Sequence, residues 1–368
     1  MRRVRYGLIG CGRIAPNHLA AVQSNKDTIE LVAVCDLLPE RMDLVLAQAD
    51  INGDDVNKYV DYREMLDREQ LDLVAVATES GSHARIGLEC INAGCHMIIE
   101  KPLALSIRDA DRLIEAASER GVVLCSCHQN RFNKSVQKVR EAYEQGRFGR
   151  LLHGTAHIRW NRGKQYYGQA SWRGTWEHDG GALMNQCIHN IDLLRWIMGS
   201  GIDEVVAYVD RQTHDYIEAE DLGLALIKFS NGAYGLIEGT TNVYPRNLEE
   251  TLYIFGDRGT VKIGGKSVNL IEEWEFSDQK DDSGEVKAKY RENPPNVYGF
   301  GHSPLYQDVI NAIKKGCKPL VDGRAGKEAV ELVLAIYRSA LEGAPVRLPL
   351  DHFSTLDMVE YFERPLGP

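Results

Sequence analysis

Three polar residues recur at Asn185, His189 and Asp192, near the end of the stretch SWRGTWEHDGGALMNQCIHNIDLLRW at residues 171–196. A carboxamide, an imidazole and a carboxylate are groups that grip a polar ligand and move a proton. Spacings of four and three place them on one helical face, and Leu183, Met184, Ile188, Ile191 and Leu194 supply apolar bulk around it. The same spacing also describes the wet side of an ordinary amphipathic helix. The elements before it must give that face something to work against.

The chain opens with an apolar run at residues 6–10 that leads into Gly10-Cys11-Gly12-Arg13-Ile14-Ala15 and then a helix to about residue 24. This G-x-G-x-x-A turn between strand and helix is the dinucleotide fingerprint. Gly10 makes the tight turn, Gly12 lets backbone approach a pyrophosphate, Ala15 permits close helix packing, and the helix N-terminus faces the anion. A second strand at residues 30–35 ends at Asp36, 26 residues after Gly10. A carboxylate there accepts from both ribose hydroxyls and repels a 2′-phosphate, and neither Leu37 nor Leu38 offers a phosphate partner, so NAD is expected rather than NADP.

Strands and helices keep alternating. Residues 71–78 (LDLVAVAT) form a nearly continuous apolar strand, as burial on both faces requires. Further strands are expected at 95–99 and 122–127, with helices to 94 and over 106–120. Ligands of such sheets bind at the carboxyl ends of the strands, where Thr78, Ser80, His83, Glu100, Lys101, Gln129 and Asn130 fall, and Lys101 is fixed by Pro102. These residues, with Gly10, Gly12, Arg13, Ile14 and Asp36, are the expected cofactor contacts.

After residue 127 the pattern changes. A helix over 132–145 precedes seven strands at 151–160, 204–211, 221–230, 233–243, 250–255, 260–263 and 267–276, with a hairpin signal at Asn231-Gly232. Residues 277–298 read as a surface excursion, and helices over 304–315 and 325–342 close the chain. The expectation is an α/β protein. A Rossmann doubly wound parallel sheet spans residues 1–127, and an α+β domain with a large open, mainly antiparallel sheet spans 128–368. One face of that sheet needs a cover, because an exposed apolar face aggregates. Before the central helix, Trp160, Arg162, Lys164, Tyr166, Tyr167, Trp172, Arg173 and Trp176 crowd one loop. Aromatic rings mixed with cations suit sugars, nucleobases or phosphates, though such a loop can also be stapled by its own aromatics.

Composition narrows the partners. A chain of 368 residues exceeds one core. Its net charge of −10 argues against nucleic acid or an anionic membrane as main partner. No apolar run is long enough for a membrane span, and the N-terminus lacks a signal-peptide pattern. The eight cysteines include no Cys-x-x-Cys pair, and no Cys/His cluster has ligand spacing. Reduced, buried thiols in a cytoplasmic protein and no metal site are therefore expected.

The glycine turn, Glu100-Lys101-Pro102 and Gly180-Gly181 followed by His189-x-x-Asp192 together resemble the Gfo/Idh/MocA oxidoreductase family. The resemblance covers nearly the whole chain. It implies NAD(P) on the first domain, oligomerisation through the open sheet as a homodimer or homotetramer, and catalytic roles at Lys101 and His189. Inositol-type members carry aspartate where this chain has Asn185. The tract at residues 160–186 resembles instead the UDP-N-acetylglucosaminuronate 3-dehydrogenase-like branch, which acts on nucleotide-linked amino-sugar acids. The implied reaction is hydride transfer from a sugar carbon to NAD, with His189 as base and Lys101 assisting. Asn185, Tyr166, Tyr167, Arg173 and Asp192 would touch substrate, and Trp172 and Arg173 would lie near the nicotinamide or a substrate anion. Three other readings stay open: a free sugar or inositol dehydrogenase, an NAD-dependent glycosidase, and a non-catalytic NAD-binding sensor.

Overall fold

The computed structural model describes residues 2–199, 201–294 and 296–363. The first unit comprises Met1–Ala104, Arg108–Gln129 and Phe300–Lys327. Its strands are β1 (Val4–Ile9), β2 (Ile29–Cys35), β3 (Asn57–Tyr59), β4 (Leu73–Val76), β5 (His96–Glu100) and β6 (Leu124–Cys127). Between them run α1 (Ala15–Ser24), α2 (Pro39–Gln48), α3 (Tyr62–Arg68), α4 (His83–Asn92) and α5 (Ile107–Arg120). The strands form one parallel sheet in the order β3-β2-β1-β4-β5-β6. Parallel pairing needs helical crossovers, and these cover both faces. That is why Leu73, Val74, Ala75 and Val76 all show zero exposure. β3 has two exposed, polar residues and no apolar signature, so the sequence did not reveal it.

The second unit comprises Leu105–Ile107, Asn130–Gly299 and Glu328–Pro368. It contains α6 (Lys134–Glu144), β7 (Leu151–Arg159), α7 (Lys164–Tyr167), α8 (Ile188–Met198), β8 (Ile202–Asp210), β9 (Leu222–Phe229), β10 (Tyr234–Thr240), β11 (Glu249–Gly256), β12 (Gly259–Gly264), β13 (Leu270–Phe276) and α9 (Ser283–Lys289). The chain then returns to the first unit for α10 (His302–Lys315) and ends with α11 (Gly323–Glu342) and β14 (Val346–Arg347). The single crossing expected near residue 127 thus becomes several. The reason is α10, which packs on α1 and β6.

The second sheet has the order β13-β12-β11-β7-β10-β9-β8-β14 and is antiparallel except where β10 runs parallel to β7. Side chains alternate along it, and β9 reads half-buried, then strictly buried and exposed in turn. The buried face carries Gly154, Gly223 and Gly239, where a Cβ would collide with Leu194 and Met198, Leu183, and Leu183 and Cys187 respectively. These glycines let the helical segment bearing Asn185 and His189 lie close on the sheet. The other face exposes Tyr208, Leu224, Leu226 and Tyr234. The expected surface excursion contains α9, capped by Asp282, whose carboxylate accepts from Glu285 N–H at 2.8 Å. No described helix is long and apolar enough to cross a membrane.

Candidate active site

The first unit supplies a nucleotide cradle. Gly10 has φ +95°, and a Cβ there would lie 2.5 Å from the Ala77 carbonyl oxygen, so only glycine fits. At Gly12 a Cβ would meet nothing within 4 Å, which leaves open space beside the start of α1. Ile14 caps that helix without a side-chain acceptor, and no acidic residue sits in its first turn. Pro16 has no N–H, and the Ala15 and Asn17 N–H groups donate to the Gly12 and Ile14 carbonyls at 3.1 and 2.9 Å, so the open space lies at the glycine turn itself. Asp36 follows β2 and is locked by Cys11 N–H at 2.8 Å and Leu38 N–H at 3.0 Å. Arg41, which the sequence did not single out, lies 3.9 Å from the same carboxylate. The open space at the glycine turn and the fixed carboxylate fit a dinucleotide's pyrophosphate and ribose.

The next two strand ends are braced differently from expectation. Thr78 Oγ1 and Ser82 Oγ are 2.7 Å apart in the turn that leads into α4. His83 is buried, with Nδ1 at 2.8 Å from the Pro102 carbonyl and Nε2 at 3.2 Å from that of Thr78. Burial lowers its pKa. The His83 ring is thus a strut between loops. The Glu100 carboxylate is buried, accepts from the Lys101 N–H at 3.2 Å, and faces His18 Nε2 at 3.2 Å and His302 Nε2 at 3.7 Å. It supports Lys101 from behind. Gln129 is buried at the end of this unit, in a short 3-10 turn.

The second unit supplies a polar array on the helical segment and its preceding loop. Residues Leu183–Cys187 form a π-turn before α8, which no residue spacing announces. Asn185 lies in it, and His189 follows in the first turn of α8, both half-buried. Asn185 Nδ2 donates to Asp179, whose other oxygen accepts from Gly174 N–H at 2.7 Å. Gln186 Nε2 donates to Asn185 Oδ1 at 3.0 Å and to Tyr166 Oη at 2.8 Å. The Arg173 guanidinium donates to Tyr166 Oη at 2.5 Å and lies 4.4 Å from the rings of Tyr166 and Trp172. Arg162 donates to Gln186 Oε1 at 3.0 Å and lies 4.5 Å from the Trp160 ring. Asn185, Tyr166, Arg173 and Trp172 therefore belong to one connected network with His189 a turn away.

Two expected substrate contacts lie elsewhere. Asp192 has no exposure and holds Arg131 in a two-point ion pair at 2.8 and 2.5 Å. That pair anchors the helix from its buried side. The register that puts His189 outward turns Asp192 inward. Tyr167 is also buried, with Oη 3.1 Å from Thr241 Oγ1, and it staples the loop. Asn130 is buried near Ser267.

Asp179, Gln186 and Glu220 were not foreseen. Glu220 Oε1 accepts from Leu183 N–H at 2.7 Å and from Tyr337 O–H at 2.8 Å, holding the start of the π-turn. Burial pushes its carboxyl up to about 8, against those two hydrogen bonds. Burial likewise raises Glu250 to about 8, opposed by Arg162. Asp179 stands beside the Gly180-Gly181 pair and Gln186 closes the 160–186 tract, whereas nothing local marked Glu220.

Residues 4–128 match the NAD-binding Rossmann fold of the GFO_IDH_MocA oxidoreductase family, and residues 140–348 match its C-terminal alpha/beta domain. The chain belongs to the Gfo/Idh/MocA family. It is an NAD-dependent oxidoreductase. Among curated members, myo-inositol 2-dehydrogenase of Thermotoga maritima is 26% identical over 352 residues, 94% of this chain and 98% of the relative. The crystal structure of the WlbA dehydrogenase from Bordetella pertussis, in complex with NADH and UDP-GlcNAcA, is 41% identical with a TM-score of 0.87, covering 95% of this chain and 99% of that one. The WlbA dehydrogenase of Chromobacterium violaceum, solved with the same two ligands, is 36% identical with a TM-score of 0.86, covering 95% and 97%.

Proposed function

We propose that the protein oxidises a secondary hydroxyl of a sugar, at C3 of a nucleotide-linked amino-sugar or sugar acid. The observation that carries this reading is the 41% identity, over 95% of the chain, to a Gfo/Idh/MocA dehydrogenase whose complex holds NADH and UDP-GlcNAcA. The array in the second unit supports it. Arg162 and Arg173 lie against aromatic rings, a pairing that suits a ligand carrying both flat or apolar faces and anionic groups.

NAD, when bound, supplies the hydride acceptor. His189 takes the proton of the reacting hydroxyl as general base, a task that imidazole performs near neutral pH. Lys101 donates a hydrogen bond to the same oxygen as negative charge grows there. Asn185 holds a neighbouring hydroxyl or acetamido group. Glu100 below and His83 beside the turn keep the Lys101 backbone in place.

A substrate panel read by NADH absorbance tests the reading. UDP-linked sugar acids should turn over faster than inositol or free hexoses, and Lys101→Met or His189→Ala should lower kcat about 100-fold or more with NADH still bound. Near-normal turnover in either variant overturns the residue roles. Preference for inositol favours the second reading, an inositol or free-sugar dehydrogenase, which the Thermotoga relative supports. The apolar outer face of the second sheet is covered by another copy of the chain as a homodimer or homotetramer, and light scattering that gives a monomer overturns that part.

A further inference from the structure

Asp179 and Asn185 form a hydrogen-bonded carboxylate–amide pair. Asp179 is 3% exposed and ends the loop before Gly180 and Gly181, both at positive φ, which turn the chain back into the π-turn. One carboxylate oxygen is held by Gly174 N–H at 2.7 Å, and the other receives the Asn185 amide N–H. The Asn185 carbonyl accepts from Gln186 on the opposite side. The amide is therefore fixed in orientation, nitrogen toward Asp179 and oxygen toward Gln186.

The pairing explains which residue can stand at position 185. An aspartate there would set a second carboxylate within hydrogen-bond reach of a buried one. Two such groups cannot both ionise, and one would keep its proton into the neutral range. The surrounding charges do not change this. Glu220, raised by burial to about 8, keeps its proton and is neutral near pH 7, Tyr166 and Tyr167 are neutral, and the Arg162 and Arg173 guanidiniums donate to Gln186 and Tyr166. Asparagine presents an N–H where aspartate would present an oxygen, so the conflict never arises.

We propose that Asp179 is a positioning residue for substrate recognition. It fixes the Asn185 carboxamide and thereby excludes a charged group from position 185, so that this point of the site offers an oriented amide to the substrate. The inference rests on the reading above that Asn185 faces substrate. It extends that reading to a residue that is itself buried.

The test uses the full-length protein and three variants: Asn185→Asp, Asp179→Asn, and the exchange Asp179→Asn/Asn185→Asp. The first measurement is the thermal midpoint of each from pH 5 to 8, which needs no substrate. Asn185→Asp should fall progressively below wild type as pH rises, because a carboxyl with a raised pKa loses stability through that window. The exchange should restore the wild-type dependence. The second measurement is kcat/KM for the best substrate of the panel, with NADH binding as the control for folding. Each single variant should lose about 10-fold or more, with Asn185→Asp worse at pH 8 than at pH 6, and the exchange, which repairs the pair but sets a carboxylate at 185, should stay about 10-fold or more below wild type. An Asn185→Asp variant with the wild-type midpoint at every pH overturns the pair, as does an exchange whose midpoint is no better than either single variant's, and an exchange with wild-type kcat/KM overturns the role in substrate recognition. If the midpoints behave as expected and no UDP-linked sugar is oxidised, the pair stands and the substrate reading fails.

Discussion

His18 Nε2 lies 3.2 Å from Glu100 Oε1, with the two side chains 0% and 8% exposed. The contact joins α1, which begins at the nucleotide cradle, to the residue directly before Lys101. His302 Nε2 lies 3.7 Å from the same oxygen, and His18 Nδ1 continues the chain to Tyr306 Oη and Tyr6 Oη, each step 2.7 Å. Burial raises the Glu100 carboxyl, but the two imidazoles outweigh it and hold the group well below the usual 4.5. Its stabilising contribution is complete above that value and is lost as pH falls through the lower folded value. Denaturant melts between pH 6 and 3 should therefore show a steeper acid loss in wild type than in Glu100→Gln. His18→Leu leaves a buried carboxylate under-compensated and should cost about 3–5 kcal/mol at neutral pH. Glu100→Gln keeps an acceptor for the Lys101 N–H, so it should retain more kcat than Glu100→Ala.

The ion pair between Arg131 and Asp192 predicts a different signature. Removing one partner, as in Asp192→Ala, should destabilise by about 3–5 kcal/mol in denaturant melts. Replacing both with apolar residues, as in Arg131→Met/Asp192→Leu, should recover most of that loss. Because Asp192 anchors the helix from within, kcat per NADH-binding site in the double variant should stay within about 3-fold of wild type. A drop of about 100-fold there would return Asp192 to the chemistry.

Glu220 and Glu250, raised by burial to about 8, hold protons that the unfolded chain releases near 4.5. The folded state binds more protons between those values, so stability should decline as pH rises from about 5 to 8, by up to ~1.4 kcal/mol per pH unit for each group. Glu220→Gln and Glu250→Gln should each flatten the profile of thermal midpoint against pH. A wild-type midpoint that climbs from pH 5 to 8 would contradict the protonated state of both.

The two fingerprint glycines should fail in separate assays. Gly10→Ala forces a Cβ into the Ala77 carbonyl at an unfavourable φ and should lower the thermal midpoint of the free protein. Gly12→Ala has room in the free protein and should melt normally. Its methyl group stands where the backbone meets a pyrophosphate, so NADH affinity by fluorescence titration should weaken about 10-fold or more.

Period and punctuation carried much of this fold into the sequence. The glycine turn before α1, the apolar run of β4 and the alternation of β9 are each local signals, and the described elements fall within a few residues of them. β3, β14 and α9 escaped because they are short or polar and are held by their neighbours. At the site, Asn185 and His189 could be picked out by type and spacing. The π-turn could not, since its cause is the packing of Leu183 and Cys187 on bare glycine backbone. The ion pair of Asp192 was not legible because its partner Arg131 lies 61 residues away. The contacts of Glu100 were not legible because His18 and His302 reach it from elements far along the chain. Pattern reports which residues could act, whereas burial decides which of them meet solvent or ligand.

The return of α10 to the first unit sets an order on synthesis. Residues 130–299 leave the ribosome before Phe300–Lys327, which belong to the first unit's body. At 5–20 residues per second, the nascent nucleotide-binding unit waits about 10–30 s with the sites for His302 and Tyr306 open. A fragment ending at residue 129 therefore lacks part of its own interior. It should be insoluble or fail to retain NADH, whereas the same fragment fused through a flexible linker to residues 300–327 should recover both properties.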